Sequence, residues 1–433
     1  MATYLANRGY SVDIYERRPD MRKVDLSAGR SINLALSVRG INALKEVGIY
    51  DKIEPITLPM KGRMIHDLDR ATHLQPYGQT ENEVIYSVSR AQLNMDLMTL
   101  AEETGLVKIH FNHQLDSVDL DTNELGFGDK KVLFNKVIGC DGSSSALRNA
   151  ILKKSNAEYV KNPLGHGYKE LTIPPSDTGD FRIETNALHI WPRGEFMLMA
   201  LPNPDGTFTC TLFAPYAGAN GLDQLVDPAD ALVYFEKNFP DVVPLIPDLT
   251  AQWATNPVSS LVMTRCYPWH HGDNVCLMGD AAHAIVPFYG QGMNSGMEDC
   301  SILSELLDAM DSPQDWDQTL SAYTAARKPA GDAILELALR NYIEMRDKTG
   351  DPQFLLQKRI EAKLAKTFPG RWLPLYSQVT FSHTPYQEAL AAGVIQDRVM
   401  AEILAKPDIE ETWDSDAVAE SAINALEHLQ KPA

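Results

Sequence analysis

The sequence predicts an α/β fold: a Rossmann-like nucleotide-binding domain that carries an inserted antiparallel sheet and ends in a helical C-terminal region. Three observations point there. A helix tail, a glycine and a strand closing on an acidic residue (ATYLANRG, then YSVDIYE) open the chain. Two short apolar strands run straight into tight turns, KVIGCDG at 136–142 and NVCLMGD at 274–280. From about Asn294 onward the pattern is almost wholly helical.

Taken in order, residues 2–8 have the Ala/Leu spacing of a helix end, with Gly9 as its stop. Tyr10–Tyr15 reads as a buried strand ending in Glu16. A carboxylate there accepts hydrogen bonds from ribose hydroxyls in a dinucleotide-binding unit; the plainer reading is a solvated acid in the run ERRPDMRK. The first half of such a unit, a strand leading into G-x-G-x-x-G, does not occur in these residues. Met1 is therefore expected to be an internal methionine of a longer protein. Ser37 could cap a short helix (VRGINALKEVG) that Gly48 stops. Ser89–Gly105 has the apolar spacing of an amphipathic helix, and short strands follow at 107–111, 126–128 and 132–134.

After Asp141-Gly142, three serines and Arg148 fit an anion- or ribose-binding edge, with Arg148 as counter-charge; a bare turn is the alternative. Residues 154–183, polar and holding Pro163, Pro174 and Pro175, read as a boundary. Segments 188–191, 196–201 and 208–213 look like an antiparallel meander, the last two joined at Asn203-Pro204-Asp205-Gly206. A helix (DALVYFEKNF) and a strand at 258–264 follow. Asp280 then stands at a strand's carboxyl end, where ligands of α/β sheets sit, and would suit a ribityl hydroxyl. The loop PFYGQGMN (287–294) enters a helix whose free backbone N–H groups can bind an anion or an electron-rich ring oxygen. His283 has no paired ligand nearby and is read as structural. These elements divide the chain into a discontinuous nucleotide-binding domain (1–60, 82–153 and 273–330), a substrate domain built on the antiparallel sheet (61–81 and 154–272) and a C-terminal helical region (331–433).

Composition narrows the function classes. A net charge of −19 argues against nucleic acid or an anionic membrane surface as the main partner. No apolar run approaches the roughly 18 residues that span a bilayer. Arg8, Asp13, Glu16, Arg17 and Arg18 arrive too early for a signal peptide, and 391–433 is polar and acidic with no hydrophobic anchor. The five cysteines are scattered and form no C-x-x-C pair, which reads as reduced thiols in a cytoplasmic protein with no metal site.

Two stretches carry a resemblance. CDGSSSALR (140–148) and LMGDAAHAIVPFYGQGMN (277–294) resemble the DG and GD motifs of single-component FAD-dependent aromatic hydroxylases, whose FAD domain is glutathione-reductase-like. GRSINLALS (29–37), GRMIH (62–66), YSVSRAQLN (86–94), HFNHQL (110–115), ELTIPP (170–175), LHIWPR (188–193), NYIEMR (341–346) and PLYSQVTFS (374–382) are similar to the branch that acts on L-kynurenine. The similarity runs from about residue 2 to 390.

The resemblance implies FAD as cofactor, NADPH as electron donor, O2 as co-substrate and oxygen transfer through a flavin hydroperoxide. The product would be 3-hydroxy-L-kynurenine, on the route from tryptophan to quinolinate and NAD. It implies that Glu16 holds the adenosine ribose with Tyr15, Arg17 and Arg18 around it, and that Ala35, Arg90 and Leu115 line the FAD. Asp280 would contact the ribityl–phosphate portion, and Met293 and Asn294 the isoalloxazine. Arg63, Tyr77, Asn341 and Tyr376 match substrate-binding positions, and Phe288 and Tyr289 would wall the oxygen-transfer site. An arginine suits the substrate's carboxylate, which it can clamp through two charge-assisted hydrogen bonds. The flavin carries the hard chemistry, so no side-chain nucleophile is expected. Monomer and homodimer both remain open. Two other readings stand beside this one: a related flavin hydroxylase of another aromatic acid, and an FAD-free chain with only a binding role.

Overall fold

The structure, a computed structural model, describes residues 1–24, 33–78, 80–155, 157–310, 312, 315–348 and 351–430. Gly29, Arg30, Ser31 and Ile32 of the GRSINLALS motif lie outside them.

The opening helix Ala2–Ala6 stops before Gly9, whose φ of +83° is the left-handed turn a glycine tolerates. Strand Val12–Tyr15 follows and pairs in parallel with Val107–His110, Tyr15 opposite His110. It is half-buried rather than buried, with Asp13 exposed, because among the described residues it has one partner strand. A second parallel pair, Val137–Gly139 with Val275–Leu277, belongs to a separate small sheet whose third strand is His270–His271. Helix Arg90–Glu103 returns the chain to Val107–His110, and Ser89 caps it by accepting from the Gln92 N–H. Ser37 precedes helix Val38–Glu46 but its hydroxyl makes no cap; its N–H donates instead to Asn294 Oδ1 (2.9 Å).

The large sheet has seven strands, in the order 258–267, 158–173, 208–215, 197–202, 187–192, 62–66 and 72–76. The predicted meander is its centre, closed at the Asn203–Gly206 turn, where Gly206 has φ +85°. The sheet is mixed rather than purely antiparallel. Gly62–His66 arrives from the other segment of the chain and pairs in parallel with Ala187–Pro192.

The expected boundary at 154–183 is replaced by the longest strand, Glu158–Ile173. Its first six residues are exposed and only Gly167–Ile173 alternate between buried and half-buried, so polar composition hid an extended segment. One face of the sheet packs on helices Pro228–Asn238 and Leu249–Thr255 through Trp191, Phe208, Phe235 and Trp253. The other, with Ile65, Leu188, Met199 and Phe213, meets the Pro287–Tyr289 turn and the 28-residue helix Trp316–Ile343. Helices Pro352–Thr367, Tyr386–Leu404 and Asp416–Gln430 bury a further core around Trp372, Val399 and Ile423. No helix among the described residues is long and apolar enough to cross a membrane.

Candidate active site

A cavity of about 540 Å³ lies where the large sheet, the Pro287–Met293 loop and the C-terminal segment meet. Alternation along the strands decides what faces it. Arg63 and its parallel partner Leu188 point to the cavity face, while His66 and His189 point to the opposite core.

Part of the lining is an apolar wall of Met60, Ile85, Leu188, Met199, Leu201, Phe213 and Phe288, interrupted by Arg63, Tyr77, Thr211, Tyr289 and Tyr376. Tyr376 stacks on Tyr77 (5.1 Å between centroids, 10°) and on Tyr289 (5.4 Å, 13°). The Arg63 guanidinium lies 5.6 Å from the Tyr77 ring and 5.2 Å from the Tyr376 ring. Asn341 Oδ1 accepts from Arg63 Nη2 (3.3 Å), and Glu344 stands 3.8 Å from Nη1. Asn341 in turn donates to the Phe288 carbonyl (2.6 Å), which ties the arginine to the loop. Arg63 Nε and the Tyr77 hydroxyl are buried without a hydrogen-bond partner. Burial pushes the Tyr77 and Tyr289 phenols well up and raises that of Tyr376, so all three stay protonated donors at neutral pH. A cation and phenol donors in an apolar cup, two atoms unsatisfied, form a site for a carboxylate.

Another part of the lining is rich in glycine, with Gly142, Gly279, Gly290, Gly292 and Gly296, and Ala35, Arg90, Asp280 and Met293 beside them. Gly279 (φ +59°) turns the chain after Val275–Leu277 so that Asp280 starts the short helix Asp280–His283, its carboxylate exposed and unpaired. Helix Gly292–Asp308 begins at the same place with its free N–H groups. This surface fits a flavin: glycines permit close approach of a flat ring, helix N–H groups can face its oxygens, and Asp280 can take a polyol hydroxyl.

Behind it lies a buried ionic network that the sequence did not single out. Asp299 accepts from the Gly279 N–H (2.9 Å), His283 Nε2 (2.6 Å) and Arg327 Nε (2.7 Å). Glu298 joins Arg327 to Arg39, which also donates to the Val379 and Thr384 carbonyls. His283 thus holds a carboxylate, in keeping with a structural role. A polar stripe at i, i+4 (Ser295, Asp299) in the helix after the glycine loop was the available signal.

The remaining expected residues lie outside the lining. Tyr15 stacks on His110 and Phe127, Glu16 accepts from the Arg18 N–H (2.8 Å), and Arg17 and Arg18 are exposed. Leu115 is half-buried on the 111–116 connection. Asn294 is fully buried, donating to the Ala35 and Gly290 carbonyls (2.7 Å each), so its side chain braces the loop. Arg148, expected as a counter-charge, is 1 % exposed and donates to the Ala281 and Ser143 carbonyls; burial leaves it a strut.

A family model described as an FAD binding domain matches residues 247–338. The chain is 44% identical over 433 residues to the kynurenine 3-monooxygenase of Flavobacterium johnsoniae, covering 99% of this chain and 96% of that one. It is 45% identical over 409 residues to that of Myxococcus xanthus, covering 93% and 88%. The chain belongs to the kynurenine 3-monooxygenase family. Among solved structures, 2-methyl-3-hydroxypyridine-5-carboxylic acid oxygenase in its tetrameric form shares the fold at TM-score 0.66 and 19% identity, covering 81% of this chain and 90% of that one. Klebsiella pneumoniae HpxO, complexed with FAD and uric acid, does so at 0.65 and 19%, covering 83% and 88%. Kynurenine 3-monooxygenase membership makes this chain an FAD-dependent enzyme, and the glycine-lined surface is where its residues fit that cofactor.

Proposed function

We propose that this chain hydroxylates L-kynurenine to 3-hydroxy-L-kynurenine with FAD, NADPH and O2, a step of tryptophan degradation toward quinolinate and NAD. The observation that carries the reading is the Arg63 guanidinium beside the Tyr77 and Tyr376 rings, with Arg63 Nε and the Tyr77 hydroxyl each buried without a partner, in a largely apolar cavity. On this reading Arg63 binds the amino-acid carboxylate, with Tyr77 and Tyr376 donating beside it. Asn341 positions Arg63. The apolar wall and Phe288 hold the ring and exclude water. Glu16 and Asp280 would hold the sugar and ribityl portions of FAD, and Ala35, Arg90 and Met293 would lie against it. The chemistry FAD supplies when bound is reduction by NADPH and activation of O2 for an electron-rich ring. We place the enzyme in the cytoplasm, where its five free cysteines stay reduced.

The test is NADPH consumption by the FAD-loaded chain with and without L-kynurenine, with the product's mass checked for one added oxygen. Kynurenine-dependent consumption and the heavier product are expected. Arg63→Met should raise KM about a hundredfold, since it removes a buried charge-assisted contact, and should leave the flavin spectrum unchanged. No stimulation by L-kynurenine, or an unaltered KM in the variant, would count against the substrate or the arginine respectively.

A further inference from the structure

The function proposed above accounts for Arg63 and Tyr77 but not for a third unsatisfied group in the same cavity. Thr211, on strand Phe208–Pro215, is 2 % exposed, lines the cavity and has a buried hydroxyl with no hydrogen-bond partner. Its cross-strand neighbour is Met199, and Phe213 follows on the same face. A hydroxyl kept in such a wall loses water without replacement, so a valine of the same shape would be the more stable choice. A ligand filling the cavity would supply the missing partner.

The sheet's register says which part of a ligand. Arg63 pairs with Leu188; two residues further along that strand Ile190 pairs with Met199, and Met199 pairs with Thr211. At about 4.8 Å per strand and about 3.3 Å per residue, three strands and two residues put Thr211 roughly 16 Å from Arg63, measured between backbones. A molecule with its carboxylate on Arg63 therefore presents its far end to Thr211. In L-kynurenine, on which this inference rests, that end is the aminophenyl ring.

We propose that the Thr211 hydroxyl accepts a hydrogen bond from the ring amino group of the substrate and thereby selects which ring carbon is hydroxylated. One N–H of that amino group is held internally by the adjacent ketone oxygen; the other needs an acceptor, which a threonine hydroxyl is. The amino group activates both the carbon beside it and the carbon opposite it on the ring. Electronic activation alone does not choose between them. A ring fixed at both ends, by Arg63 and Thr211, presents one edge to the flavin surface.

The experiment compares equilibrium binding of L-kynurenine and of 2-amino-4-oxo-4-phenylbutanoate, which lacks the ring amino group, to the FAD-loaded chain. Thr211→Val should raise the Kd for L-kynurenine about tenfold and leave that of the analogue within about twofold. Thr211→Ser should restore wild-type affinity. Turnover by Thr211→Val should yield the 5-hydroxy isomer alongside the 3-hydroxy product. Equal weakening of both ligands, or of neither, overturns the role of Thr211 while the wild type still binds L-kynurenine. A wild-type chain that fails to bind L-kynurenine overturns the substrate reading and this inference with it.

Discussion

Asp299 has no exposed surface, yet its carboxyl is held at about 2, below its ordinary value. Burial alone would raise it; His283, Arg327 and the Gly279 N–H more than offset that. A carboxyl with a depressed folded-state pKa contributes stability in full above its unfolded value, about 4, and loses it as the pH falls through about 2. Asp299→Asn should therefore be less stable than wild type at neutral pH, by about 3–5 kcal/mol for a broken buried pair. That gap should narrow between about pH 4 and about pH 2. Urea unfolding across this range checks it, and a pH-independent gap would show that the carboxyl carries no such shift. Single residues were legible in the sequence where a motif marks them, as Asp280 and Gly290 are. Asp299, Arg327 and Thr211 were not, because their roles depend on partners far away in sequence, such as Gly279 and the Met199 strand.

At the scale of elements, the loop between the Pro287–Tyr289 turn and helix Gly292–Asp308 matters most. Gly290 has φ +67°, and a Cβ there would lie 2.9 Å from the Ala35 Cβ. Gly290→Ala combines a left-handed backbone, costing about 1–2 kcal/mol, with a contact that pushes the loop away from strand Leu34–Leu36. The expected outcome is a lower Tm and about tenfold weaker FAD binding, read from flavin fluorescence; the tenfold corresponds to losing about 1.4 kcal/mol of site geometry. Unchanged FAD affinity would place Gly290 outside the cofactor surface. Local chemistry made most element positions readable: Gly9 and Gly48 both adopt positive φ where helix stops were expected. Glu158–Ile173 escaped because its first half gains its extended form from pairing with Val258–Tyr267, which no local pattern announces.

At the scale of the whole molecule, the charge of −19 acts on partners. L-Kynurenine is a zwitterion, whereas NADPH is an anion that this field repels. Screening lengths fall from about 30 Å at 0.01 M salt to about 8 Å at 0.15 M. The rate of flavin reduction at limiting NADPH should therefore rise with ionic strength over that range, while the Kd for L-kynurenine barely moves. Stopped-flow reduction measures it; a rate that falls with salt would reveal a local basic entry patch that outweighs the global field.

What the sequence determined by itself was the class of fold and the FAD-dependent aromatic hydroxylase family. Strand–turn motifs, glycine stops and the GD loop are local, and local physics writes them in consecutive residues. The resemblance grouped Arg63, Tyr77, Tyr376 and Asn341; the tertiary structure showed their contacts, Asn341 holding Arg63 and the tyrosine rings stacking beside it. It alone turned Asn294 and Arg148 inward as braces, left Asp280 free, and set Thr211 unsatisfied across the sheet from Arg63. The reason is physical: whether a polar atom is satisfied depends on what lies within about 3 Å of it, and in a folded chain that neighbour is seldom near in sequence.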